Sequence, residues 1–126
     1  MSAASAPATS VPVRLVELSE DVRAAVLVDS AGTLLSASDT DRARARRLAD
    51  LTRELVESAD AVASEPTEQI EARGEGGAVF AVRTVHHTLA CVAHRLALPA
   101  LVLYDLRQMM LELEKSIGST GPRSAP

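Results

Sequence analysis

Three histidines and one cysteine are the residues best suited to chemistry in this chain. His86 and His87 are adjacent, and His94 stands three residues after Cys91. Neighbouring side chains of an extended segment point to opposite faces, so His86 and His87 are poorly placed to share a metal. The same alternation puts Cys91 and His94 on opposite faces, which counts against a Cys–His nucleophile. No second cysteine exists to complete a zinc set or an internal disulfide. Leu89, Cys91 and Ala93 share one strand face, so Cys91 reads as a small buried hydrophobe. The stretch Gly74-Glu75-Gly76-Gly77 lacks the Gly-Lys-Ser/Thr ending of a phosphate loop and leads into a strand, so it reads as a turn. No nucleophile elbow, paired His zinc motif, dinucleotide fingerprint or paired-carboxylate pattern occurs. The expectation is a protein with no catalytic, cofactor-binding or metal-binding residue of its own: a binding module, not an enzyme.

The elements that would carry these residues are legible from periodicity. Val22 to Ser38 reads as two strands around the turn Asp29-Ser30-Ala31-Gly32, with Gly32 in a left-handed conformation. Val22, Ala24, Val26 and Val28 sit at even spacing and Ala25 and Leu27 fill alternate positions, as in a strand covered on both faces. Ser10, Val11 and Pro12 could open a short helix through Leu18, with Pro12 in its first turn and Val13, Leu15 and Val16 on its apolar side. Asp39 or Thr40 can cap a long helix running to about Ala63. Glu68 to Arg73 alternates, with Ile70 and Ala72 on one face and Gln69, Glu71 and Arg73 on the other, as in an edge strand guarded by charge. Ala78 to Thr84 and Thr88 to His94 are nearly continuous apolar runs, as in central strands. Pro99 opens a last helix ending between Lys115 and Ile117, with Leu103, Leu106, Met110, Leu113 and Ile117 on one face.

The long helix has the most informative pattern. Leu48, Leu51, Leu55, Ala59 and Val62 form one stripe at helical spacing. Ala45, Ala49, Thr52, Val56 and Ala63 form a small-residue flank beside it, and Arg47, Glu54 and Ser58 lie on the other side. The apolar surface is wider than one sheet contact needs: it is either one wide core stripe or a stripe with a second contact along the small flank, as in a helix pair across a dimer axis. The outer face carries Arg42, Arg46, Asp50, Arg53 and Glu57 with Asp60; Arg46–Asp50 and Arg53–Glu57 have the spacing of i,i+4 ion pairs. This face is either plainly solvated or a partner site.

Composition limits the function classes. With 126 residues the chain supports one domain with tails, assigned as 1–10, 11–117 and 118–126 with both tails disordered. A net charge of −4 argues against binding a phosphate backbone, which needs clustered positive charge. The run Arg42 to Arg47 is basic, but helical rotation scatters it and no aromatics are interleaved for stacking. The N-terminal ten residues lack the basic and apolar regions of a secretory signal. The apolar run Leu96 to Tyr104 is broken by Pro99 and falls far short of the roughly 20 residues that span a bilayer. The expectation is a cytoplasmic protein without membrane insertion or nucleic-acid binding. Helix, two strands, long helix, three strands and helix suggest one five-stranded sheet covered on both faces.

Three segments then carry a family likeness: LVELSEDVRAAVLVDSAGTLLSAS, EQIEARGEGGAVFAVRTVHHTLACVAHR and LALPALVLYDLRQMMLELE. With the Ala/Leu-rich helix between the first two, they resemble the roadblock/LC7 family over roughly residues 13 to 117. Pro99 departs from the Gly that many members carry there. The resemblance implies an α+β, profilin-like sandwich with an antiparallel sheet in the order 2-1-5-4-3. It implies a homodimer joined at the third strand and the long helix, placing Ala45, Ala49, Thr52, Val56, Ala63, Gln69, Ile70, Glu71 and Ala72 in the interface. It also implies a Ras-like small GTPase as partner, for which Arg42, Arg46, Asp50, Arg53 and Glu57 are the candidate contacts. Some bacterial members stimulate GTP hydrolysis, and such a member would act by ordering the switch loops of the GTPase. The alternative is a dimeric scaffold subunit of a signalling complex, binding without changing hydrolysis.

Overall fold

The computed structural model describes residues 6–120, and side chains from residue 10 to residue 116. In chain order the elements are α1 (Ala6–Leu18), β1 (Val22–Asp29), β2 (Leu34–Ala37), α2 (Arg42–Val62), β3 (Gln69–Gly74), β4 (Gly77–Arg83), β5 (His87–Ala93) and α3 (Pro99–Thr120). The five strands form one antiparallel sheet in the order β2-β1-β5-β4-β3, as expected. The first hairpin turns as its residues require. Gly32 sits at φ +89°, and the Asp29 carboxylate accepts the Ala31 and Thr33 amides at 2.9 Å each.

Three boundaries differ from expectation. Helix α1 opens at Ala6, so Pro12 lies inside it instead of in its first turn. The proline ring is fully buried, and that packing offsets the backbone bond it removes. Helix α3 runs on to Thr120; residues 1–5 and 121–126 lie outside the described residues, as does the Ile117 side chain. The cap of α2 is Asp41, not Asp39 or Thr40. Asp41 accepts the amides of Ala43 and Arg44, the second and third helical residues, at 2.9 and 3.2 Å. Asp39 pairs with Arg44 at 2.8 Å, and this hydrogen bond holds its carboxyl below the usual range.

The two faces of the sheet are packed unequally. Ala25, Leu27, Phe80, Leu89 and Cys91 face α1 and α3, meeting Val11, Leu15, Leu106, Met110 and Leu113 in the main core. The opposite face is built of smaller residues. Val26, Ala81 and Ala90 align across three strands and meet Ala45 and Leu48 of α2. Small side chains on both partners let the helix approach the sheet closely.

Candidate functional site

The candidate nucleophile and its base are kept apart. Cys91 is fully buried in the main core, and burial pushes its thiol up to about 12. His94 stands beyond the end of β5, where its Nδ1 lies 2.9 Å from a guanidinium nitrogen of Arg23. His86 is exposed, whereas His87 is half-buried, with Nδ1 3.4 Å from Glu114. Among the described residues no group of three or more His, Cys, Asp or Glu side chains could hold a metal ion. Also among them, no helix is long and apolar enough to cross a membrane.

The geometry that stands out is on α2 and β3. The small-residue flank is turned inward: Ala45, Ala49 and Thr52 are buried against the sheet of their own chain. In the single chain these three positions are covered by its own sheet and present no open surface. Beneath them the sheet presents Val26, Ala81 and Ala90, and small helix residues beside Leu48 pack closely on that face. Thr52 satisfies its hydroxyl within the helix by donating to the Leu48 carbonyl at 2.8 Å. Val56 is half-buried beside them, and Ala63, the last residue of the turn, is exposed.

The larger apolar side chains are displaced to the side of the helix. Leu48 remains buried, but Leu51 is 40% exposed, Leu55 is half-buried and Val62 is 88% exposed. Beside Leu48 and Leu51, an opening of about 340 Å³ leads down to Ala24, Val26 and Val92 of the sheet. Sequence reasoning missed Leu51, Leu55 and Val62 as surface residues because their spacing alone fits a core stripe equally well. The signal that could have found them was the run of alanines on strands β4 and β5.

Strand β3 pairs with β4 on one side only, so its outer backbone edge is open among the described residues. Ile70 and Ala72 lie on the α2 face, opposite Ala81 and Val79, as the alternation predicts. Gln69 and Glu71 lie on the α3 face. Arg107 donates to the Gln69 amide oxygen, and Arg73 reaches Glu71 at 2.7 Å. Arg73 also lies 5.7 Å above the Phe80 ring. These contacts tie the edge strand to its own chain.

Arg42, Arg46, Asp50, Arg53 and Glu57 are all exposed on the outer face of α2. The expected i,i+4 pairs do not form; Asp50 is instead met by Arg53 at 3.4 Å, an i,i+3 pair. The stem of Arg53 lies against Gly32 of the first turn.

This architecture is profilin-like, a sheet with one long helix on one face and two on the other. A family model described as Roadblock/LC7 domain matches residues 12–94. The chain belongs to the Roadblock/LC7 domain family. Members of this family are generally non-catalytic regulatory domains. A Roadblock/LC7 domain from Streptomyces avermitilis superposes with a TM-score of 0.77 at 18% identity, covering 85% of this chain and 94% of that one. Myxococcus xanthus MglB gives 0.75 at 18% identity, covering 94% and 93%. Acanthamoeba castellanii profilin II gives 0.55 at 15%, covering 84% and 95%. At such identities these likenesses establish the fold. No curated protein matches the sequence.

Proposed function

We propose that this chain is a dimeric, non-enzymatic, cytoplasmic regulator that binds a Ras-like small GTPase and modulates its hydrolysis of GTP. The observation that carries this reading is the pairing of Roadblock/LC7 membership with an apolar flank on α2 beside an unpaired edge strand. Leu51, Leu55 and Val62 of α2, with Ile70 and Ala72 of β3, meet the same residues of a second copy around a two-fold axis. In that arrangement β3 continues the sheet into its copy, which removes the open edge. Ala45, Ala49 and Thr52 support the seam from beneath without touching the partner. The charged outer face of α2, from Arg42 to Glu57, is left for the GTPase. The regulator acts by ordering the switch loops of its partner.

Size-exclusion chromatography with Ras-like GTPases from the same genome, loaded with GDP or a non-hydrolysable GTP analogue, tests the binding. A co-eluting complex whose stability depends on the nucleotide supports the reading. Failure of every such GTPase to bind in either state overturns it. A complex that leaves the hydrolysis rate untouched favours the scaffold subunit instead.

A further inference from the structure

We propose that the cavity between the middle of α2, the β1–β2 turn and the β4–β5 turn binds a small organic cation: an ammonium or guanidinium on a short aliphatic stem. The cavity holds about 850 Å³, within the range of small-molecule sites. From α2 it is lined by Thr52, Arg53, Val56, Glu57 and Asp60, and not by Leu51 or Leu55.

The observation that points to a ligand is Thr88. This residue stands on β5 between Val28 of β1 and Arg83 of β4, on the face beneath α2. It is only 6% exposed and lines the cavity. Its hydroxyl has no hydrogen-bond partner among the described residues. Three other threonines line the same space, and each is satisfied. Thr52 donates to the Leu48 carbonyl, Thr84 donates to Glu114 at 2.8 Å, and Thr67 bonds to Asp60. Buried hydroxyls are ordinarily paired, so the free one at the floor of a cavity marks where a polar atom of a ligand belongs.

Charge selects the ligand. Both guanidiniums in the lining are engaged: Arg83 binds Asp60 at 2.9 Å, and Arg53 meets Asp50 outside the cavity. Glu57, Glu65 and Glu68 at the mouth have no ion-pair partner among the described residues. An anion would enter against three free carboxylates, whereas a cation is drawn in by them. The Thr88 oxygen can accept from an N–H of the ligand, and Val28, Val56 and Val85 suit its aliphatic stem.

The test is an amide-resolved NMR titration of the full chain with putrescine, agmatine and butyrate. The expected result is saturable shifts centred on Thr88, Val28 and Val85 with either amine, and none with butyrate. Thr88→Val, which keeps the shape and removes the hydroxyl, should weaken binding about tenfold. The triple variant Glu57→Gln, Glu65→Gln, Glu68→Gln changes only exposed side chains and should weaken binding whether or not Thr88→Val folds. Shifts scattered over the acidic surface, equal shifts with butyrate, or undiminished affinity in the triple variant would overturn the proposal.

Discussion

Two substitutions on α2, two residues apart, should fail in different ways. Leu51 is 40% exposed in the single chain, and Ala49 is 4% exposed. Burying a leucine side chain completely is worth about 1.5–3 kcal/mol, so covering the exposed part of Leu51 contributes about 1 kcal/mol. A two-fold seam contains the residue twice, and the sum is about 2 kcal/mol, or roughly a 30-fold change in the dimer dissociation constant. Leu51→Ala should therefore yield a folded protein that dissociates at roughly 30-fold higher concentration. Ala49→Glu places a carboxylate between α2 and the Ala-faced sheet, where it has neither water nor a partner. It should cost several kcal/mol and unfold the chain instead of merely separating two copies. Sedimentation equilibrium read beside circular-dichroism melting distinguishes the two outcomes. An unchanged dimer constant in Leu51→Ala would refute the seam, and a folded, monomeric Ala49→Glu would refute the packing described for α2.

Three further outcomes follow from the geometry. Gly77→Ala should lower Tm by more than about 5 °C, because a Cβ there would lie 2.8 Å from the Ala93 carbonyl oxygen at φ +152°; Gly76→Ala, with open space around it, should be neutral. Cys91 should resist thiol reagents at pH 8 in the native protein and react fully in denaturant, since burial holds its thiol near 12; rapid native labelling would contradict its placement. Asp60 has its carboxyl held below the ordinary range by the Thr67 amide and then by Arg83. Its contribution is present above the unfolded carboxylate range and is lost as pH falls through the folded value. Acid titration of unfolding should accordingly show a shallower loss of stability below about pH 4 in Asp60→Asn than in the parent; parallel curves would count against the interaction.

Most of the fold could be read in advance, because its signals are local. Gly32 announced its turn, alternation placed Ile70 and Ala72 on one face of β3, and Pro99 began α3 where its fixed φ suits a first turn. The strand order came from the family resemblance, since nothing local says that β1 lies beside β5. The rotation of α2 was not legible. Its leucine stripe and its alanine flank are both apolar, and local spacing does not say that Leu48 and the small residues turn inward while Leu51 and Val62 do not. The Thr88 cavity was equally hidden. It depends on β1, α2 and the β4–β5 turn converging, and Thr88 in sequence is one more β-branched strand residue.

The central claim is that this chain regulates a Ras-like GTPase without contributing a catalytic side chain. Single-turnover GTP hydrolysis by such a partner, measured against increasing concentrations of this protein, tests it most directly. The account predicts a saturable change in rate that survives Arg46→Ala and Arg53→Ala, because the partner's own residues perform the chemistry. A rate independent of this protein, or a stimulation abolished by either arginine substitution while binding persists, would contradict it.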